Sequence, residues 1–299
     1  MMRAAVHAFP ESLVPAQELA KRLHVEICEV GLHRFPDGES LVQIQPGSEI
    51  AILFRSLDRP NEKLVELLLA ASALRGNGAR RVIIVAPYLG YMRQDIAFEP
   101  GQAVSQKVVG ALLAEHFDAL LTVDPHLHRI RRLAEVIPDI EAVHISAAPA
   151  LARFIDDEQK PVLVGPDAES RQWVEAIAEP HGLDVIIGDK QRQGDREVAL
   201  VLEHADRVSG RPAILVDDVI SSGRTLEVAA GLLLAAGATN VEALATHCLA
   251  SEVDLQRLGR AGIRRVSSTD SVAGPTAAIP LAGLLADAIV EHGWLEEKV

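Results

Sequence analysis

The run Ile214-Leu215-Val216-Asp217-Asp218-Val219-Ile220-Ser221-Ser222-Gly223-Arg224-Thr225 carries an apolar strand into two adjacent carboxylates and then through small residues into a helix. Backbone N–H groups and the hydroxyls of Ser221, Ser222 and Thr225 can wrap a phosphate at a helix start, where the helix dipole favours negative charge. Asp217 and Asp218 can each accept a bond from a hydroxyl of a ribose attached to that phosphate. A plain strand-turn-helix corner with a Ser/Thr cap is the competing explanation, but a cap needs one hydroxyl and leaves the carboxylate pair unexplained. Neither G-x-x-x-x-G-K-[ST] nor G-x-G-x-x-G occurs, so the common nucleotide loops do not compete for this role.

Five other segments carry groups suited to chemistry. Pro87 to Gly101 follows an apolar run and holds both tyrosines of the chain, Phe98, and the triplet Arg93-Gln94-Asp95. Rings can stack on a base there and a guanidinium can grip phosphate, the alternative being a structural loop with a local Arg–Asp pair. Arg34-Phe35-Pro36-Asp37-Gly38-Glu39 reads on its own as a turn with solvated acids. Val123-Asp124-Pro125-His126 and Val164-Gly165-Pro166-Asp167 each end an apolar run. His126 by itself reads more simply as a surface or packing residue, yet His126 and Asp167 could share a hard divalent cation, Mg²⁺ carried in on phosphates, if two domains face each other. Asp189 to Glu197 is a polar, Gly-punctuated stretch between strand-like runs: a solvated hairpin tip, or a mobile flap bringing Lys190 and Arg192 over a reacting phosphate.

These segments need a frame, and alternating apolar runs and amphipathic stretches predict α/β architecture with mostly parallel sheets flanked by helices. Strands are predicted over Ile50–Phe54, Arg81–Ala86, Ala119–Val123, Pro161–Val164, Val185–Ile187, Ala213–Val216 and Val241–Thr246. Helices are predicted over Asn61–Leu74, Gln102–His116, Glu169–Ala178 and Leu226–Ala236. Ile52-Leu53-Phe54, a Leu/Ala-rich helix and Gly78-Ala79 are echoed by Ile214-Leu215-Val216, a similar helix and Gly237-Ala238, as two related tandem domains would be. Where the second copy has Asp217-Asp218, the first has Arg55-Ser56. The division expected is 1–143 and 144–299, with a final helix at about 279–290 packing back on the first domain.

At 299 residues and 48% apolar composition the chain is sized for two cores. Its net charge of −13 argues against nucleic acid as a partner. Two cysteines, Cys28 and Cys248, without a C-x-x-C or a signal-peptide pattern, point to a reducing cytoplasm. No apolar run approaches the roughly 20 residues of a membrane span.

Taken in order, the segments resemble the ribose-phosphate diphosphokinase family. Phe35-Pro36-Asp37-Gly38-Glu39 resembles its F-x-D-G-E loop, Tyr91 to Gly101 its Y-x-R-Q-D-x-x-F-x-P-G loop, and Val123 to His126 its V-D-x-H segment. Pro166-Asp167 resembles its S-P-D turn, Lys190 to Arg192 its flexible K-x-R, and Asp217 to Thr225 its ribose-phosphate loop. The turn Gly165-Pro166-Asp167-Ala168-Glu169-Ser170, where the common form carries small Gly-rich residues, marks a divergent branch, and the phosphate loop has Ser221 and Arg224 where many members have Asp and Gly.

The resemblance implies two tandem phosphoribosyltransferase-like domains that transfer the β,γ-diphosphoryl group of MgATP to the C1 hydroxyl of ribose 5-phosphate. It implies ATP contacts from Arg93, Gln94 and Asp95, with Phe35, Asp37 and Glu39 reaching ATP from a neighbouring subunit of a homo-oligomer, a dimer or dimer-based hexamer. It further implies Mg²⁺ at His126 and Asp167, catalytic roles for His126, Lys190 and Arg192, and a ribose 5-phosphate site of Asp167, Asp217, Asp218, Ser221, Ser222, Gly223, Arg224 and Thr225. A phosphoribosyltransferase that uses 5-phosphoribosyl 1-diphosphate shares only the last loop. A non-catalytic regulatory homologue predicts loss of Lys190, Arg192 or His126, all of which are present.

Overall fold

Short runs of Ala, Val, Ile and Leu become strands covered on both faces, which is why they read as continuous apolar stretches rather than alternating ones. The computed structural model describes residues 3–127, 132–193 and 197–296, the side chains of 190–199 excepted. It divides into two compact units, residues 1–146 with 280–299, and residues 147–279.

The first unit contains β1 (Ala4–Ala8), β2 (Glu26–Glu29), a hairpin of β3 (Gly31–Arg34) and β4 (Ser40–Gln43), then β5 (Ile50–Phe54), β6 (Arg81–Ala86), β7 (Ala119–Val123) and β8 (Glu141–Ile145). All but the hairpin form one parallel sheet in the order β2-β1-β5-β6-β7-β8. Helices α1 (Leu13–Leu23), α2 (Pro60–Gly76) and α3 (Ser105–His116) make the crossovers. Leu64, Leu67, Ala71 and Leu74 of α2 close the core with Ala51, Leu53, Val82 and Ile84 of the sheet.

The second unit opens on α4 (Ala148–Phe154) and repeats this plan. Its strands are β9 (Val162–Gly165), β10 (Val185–Ile187), a hairpin of β11 (Asp189–Gln193) and β12 (Glu197–Val201), then β13 (Ala213–Ile220), β14 (Val241–Cys248), β15 (Ile263–Thr269) and β16 (Ala277–Ile279). The parallel sheet runs β10-β9-β13-β14-β15-β16, the first unit's order with eight added to each label. Crossovers are α5 (Arg171–Ala178), α6 (Arg224–Ala235) and α7 (Glu252–Arg260). Leu226, Ala230 and Leu233 of α6 pack with Val164, Leu215 and Ala243.

The helix after each sheet's last strand serves the other unit. α4 follows β8 yet packs on α5, whereas the last helix, α8 (Ala282–Glu291), follows β16 and packs on α1 and β8. Ala282, Leu285, Ala286 and Ile289 give α8 one buried stripe at helical spacing. Beyond it Trp294 is fully buried, its carbonyl accepts from Arg81 Nη1 at 3.1 Å, and His292 Nδ1 lies 2.7 Å from Glu141 Oε1.

The strands expected at Ile50–Phe54, Arg81–Ala86, Ala119–Val123 and Val185–Ile187 form with those bounds. Ala213–Val216 is longer than its apolar run, because β14 continues alongside and pairs His247 with Val219 and Cys248 with Ile220. Asp217 and Asp218 therefore sit inside β13, and Asp217 pairs with Ala245.

One buried base in the first sheet ties stability to pH. His7 of β1 is 1% exposed, with Nε2 2.9 Å from Ser48 Oγ, and burial pushes its pKa down from 6.5 to about 4. Between those values the unfolded chain binds a proton that the folded chain refuses. This stabilisation is complete above pH 6.5 and declines as pH falls to about 4. Urea unfolding at pH 7 and pH 4.5 should show wild type losing about 2–3 kcal/mol more than His7→Gln; equal losses would refute this origin.

Candidate active site

In the second unit the chemistry gathers where β9 ends beside the middle of β13. Asp218 donates its backbone N–H to Asp217 Oδ1 at 3.1 Å, and Val219 donates its own to Asp218 Oδ1 at 2.7 Å. Asp167 follows β9 and caps the short turn Ala168–Ser170, accepting from the N–H groups of Glu169 and Ser170, each at 3.2 Å. Burial, then the charge of Asp218, then that of Asp167 push the Asp217 carboxyl well above the usual carboxylate range. Carboxylates that oppose one another in a poorly solvated corner favour a ligand bringing hydroxyl donors and positive charge.

Beside them the chain turns into α6. Ser221 and Ser222 are exposed, Gly223 has φ +71°, and Arg224 and Thr225 open the helix, Arg224 exposed and Thr225 half-buried. A Cβ on Gly223 would stand 2.9 Å from the Leu258 side chain, so the residue is glycine for both backbone and space. Arg257 of α7 holds the loop from the side. It donates through Nη2 to the Ser222 carbonyl and is itself fixed by Glu227 Oε2 at 3.1 Å and Asp254 Oδ1 at 2.9 Å. Sequence reasoning missed Arg257 and Leu258, which come from another helix and carry no local signal.

In the first unit the Pro87–Gly101 loop leaves the carboxyl end of β6, where ligands of open α/β sheets bind. It enters tightly, since a Cβ on Gly90 would lie 2.7 Å from the Leu57 carbonyl oxygen. Tyr91 adopts φ +66°, and its hydroxyl bonds to Asn61 Oδ1 on α2. The triplet divides its labour: Arg93 is exposed, Gln94 is half-buried and accepts from Ser105 Oγ at 3.1 Å, and Asp95 is buried. Phe98 and Ile96 are exposed. His126, half-buried, lies just beyond β7, after a turn in which Asp124 takes φ +34° and donates its N–H to the Ile145 carbonyl.

The tip between β3 and β4 carries Phe35, Asp37 and Glu39, all exposed. Phe35 N–H donates to the Glu39 carbonyl at 2.8 Å, Glu39 N–H donates to Asp37 Oδ1 at 3.2 Å, and the His33 ring meets Phe35 edge-on at 4.8 Å. Lys190 and Arg192 lie in β11, their backbones opposite Leu200 and Val198 of β12. Their side chains fall outside the described residues, as do residues 194–196 between the strands.

Residues 9–116 match the family model described as the N-terminal domain of ribose phosphate pyrophosphokinase, and residues 135–274 match the phosphoribosyl transferase domain. The ribose-phosphate pyrophosphokinase of Methanopyrus kandleri is 34% identical over 289 residues, 95% of this chain and 98% of that one. The chain belongs to the ribose-phosphate pyrophosphokinase family. Another ribose-phosphate pyrophosphokinase, from Bradyrhizobium diazoefficiens, is 33% identical over 302 residues, covering 95% and 92% of the two chains. The solved phosphoribosylpyrophosphate synthetase of Mycobacterium smegmatis superposes with TM-score 0.83 at 26% identity, over 98% of this chain and 100% of that one. Both units of this ribose-phosphate pyrophosphokinase family member are thus phosphoribosyltransferase-like, each with a parallel sheet flanked by helices.

The donor set fits a hard cation. Asp167, Asp217 and Asp218 offer carboxylate oxygens, the donor type a hard cation takes, while among the described residues no group of three or more His, Cys, Asp or Glu could by itself hold a metal ion. That chemistry suits Mg²⁺ borne on phosphates rather than a closed zinc site. Among the described residues no helix is long and apolar enough to cross a membrane.

Gly223→Ala should cost about 1–3 kcal/mol, because it adds a left-handed penalty to a clash with Leu258. Denaturant midpoints measure it, and a variant as stable as wild type would show that the loop is not held as described.

Proposed function

We propose that the chain transfers the β,γ-diphosphoryl group of MgATP to the C1 hydroxyl of ribose 5-phosphate, giving 5-phosphoribosyl 1-diphosphate and AMP. The observation that carries this reading is relatedness through both units: the match to the Methanopyrus kandleri ribose-phosphate pyrophosphokinase spans 95% of the chain. A phosphoribosyltransferase would use the Asp217–Thr225 loop and leave the Arg93-Gln94-Asp95 loop without a purpose.

On this reading the N-terminal end of α6 and the loop Ser221, Ser222, Gly223, Arg224 and Thr225 hold the 5-phosphate. Asp217 and Asp218 accept from the ribose hydroxyls, which stabilises the Asp217 carboxylate against the burial and the neighbouring carboxylates that raise its pKa. Arg93, exposed at its loop, takes the nucleotide phosphates, while Gln94 and Asp95 shape the site around the base. Phe35, Asp37 and Glu39 complete the ATP site of a neighbouring subunit, so the active form is a homo-oligomer, a dimer or a dimer-based hexamer, working in the cytoplasm.

The C1 hydroxyl oxygen attacks the β-phosphorus in line and gives its proton to solvent, and the bond from that phosphorus to the oxygen bridging the α-phosphate breaks, so that AMP leaves with that oxygen. Such a transfer depends on alignment and charge neutralisation more than on a strong base. Magnesium supplies part of that neutralisation when bound with the nucleotide, and His126 and Asp167 are the residues that would hold it. Lys190 and Arg192 stabilise the charge that builds on the transferred group.

Incubation with ribose 5-phosphate and MgATP should yield equal amounts of AMP and 5-phosphoribosyl 1-diphosphate. No AMP with any nucleotide donor would overturn the reading. Lys190→Ala and Arg192→Ala should each lower kcat by about 10²–10³ with ribose 5-phosphate affinity little changed; near-wild-type turnover would remove both from the mechanism. Mixing inactive Asp37→Ala and Asp218→Ala proteins should restore partial activity if subunits share the ATP site, and no recovery would count against sharing.

A further inference from the structure

The hairpin that carries Phe35, Asp37 and Glu39 is two strands of four residues each, and an isolated two-stranded hairpin is marginal in water. Something must fix its direction if its tip is to meet a nucleotide. Leu32 and Val42 supply apolar contact with the core, but apolar contact alone is not directional.

Directionality comes from one carboxylate. Glu66, on α2, is 1% exposed, and its Oε1 accepts from Arg34 Nε at 2.8 Å and from Ser40 Oγ at 3.0 Å. Arg34 and Ser40 are the cross-strand pair that closes the ladder immediately before the tip. A single oxygen thus grips both strands at the base of the segment that presents the three candidate ATP residues.

The other oxygen is anchored inward. Oε2 accepts from Arg55 Nη2 at 2.6 Å, and Arg55 is fully buried, bonded through Nε to Glu11 Oε1 at 2.8 Å and through Nη1 to the Lys63 carbonyl at 3.2 Å. Its guanidinium lies 3.7 Å over the Phe9 ring. Burial opposes ionisation of Glu66, but the bonds from Arg34 and Arg55 outweigh it and hold the carboxyl below its usual range. The charge on Glu66 is therefore kept, and it runs from the end of β5 to the hairpin.

We infer that Glu66, through Arg34 and Ser40, is a positioning residue for ATP, orienting the β3–β4 hairpin so that Phe35, Asp37 and Glu39 are presented together. The inference rests on the proposed function of those three residues. A merely structural Glu66 would alter stability and leave substrate discrimination alone.

The test is a double-mutant cycle on the full-length protein with Arg34→Ala, Glu66→Gln and the pair, following KM for MgATP, KM for ribose 5-phosphate and kcat. Arg34→Ala leaves the buried Arg55–Glu66 pair intact, and Ser40→Ala replaces Glu66→Gln if the buried substitution does not fold. KM for MgATP should rise about tenfold in each single variant, the scale of one charge-assisted hydrogen bond, with KM for ribose 5-phosphate within about twofold of wild type. The double variant should be no worse than the worse single, because Arg34 acts through Glu66. Ser40→Thr, which keeps the hydroxyl, should behave as wild type. An unchanged KM for MgATP in Arg34→Ala, a multiplicative double variant, or equal rises in both KM values would overturn the inference. Wild-type protein that makes no AMP would overturn the proposed reaction, and this inference with it.

Discussion

A charge cannot be left alone at the poorly solvated end of a parallel sheet, and the two units answer that constraint in opposite ways. After β5 the chain places Arg55 and neutralises it internally with Glu66 and Glu11, over the Phe9 ring. At the corresponding place in β13 it sets Asp217 beside Asp218 and Asp167, so that carboxylates oppose one another. Removing one partner of a buried pair costs about 3–5 kcal/mol, which makes the first corner self-contained. The second leaves its carboxylates opposed, an arrangement that hydroxyl donors and cationic charge from a ligand would relieve. Two copies of one fold thus differ in what they accept through the sign of a side chain at one strand end.

The rest of each unit serves that corner. Parallel strands direct their carboxyl ends to one edge, and the crossover helices begin there with unsatisfied N–H groups. The loop after β13 is shaped by Gly223 over Leu258 and tethered by Arg257, so its geometry is set by α7 as much as by its own sequence. In the first unit the corresponding corner holds the Arg55–Glu66–Glu11 cluster, and the proposed nucleotide contacts lie on the loop at Arg93 and the hairpin tip at Phe35.

Contiguous features were legible in the sequence and dispersed ones were not. β5, β6 and β7 could be read residue by residue because strands covered on both faces are unbroken apolar runs. β1 and β15 give no unbroken run because His7, Arg264, Arg265 and Ser267 interrupt theirs, and the apolar run of β13 stops short of the strand because pairing with β14, rather than hydropathy, carries it past Asp218. The segment from Asp217 to Thr225 announced itself since all its groups fall within nine residues. The Glu66 grip joins Arg34, Ser40, Arg55 and Glu66 from three elements and the end of a fourth, and a buried glutamate in a helix looks no different in sequence from a solvated one.

The exchange of last helices bears on how such a chain is made. The second unit is continuous, complete once residue 279 has been synthesised. The first unit is not: β1 and α1 precede the second unit in the chain, yet the helix that covers α1 and the Trp294 that meets Arg81 follow it. Domains commonly fold in the order of their synthesis, N-terminal first. Here the half that begins first is finished last, since its α1 surface waits for a helix made after the whole of the second unit.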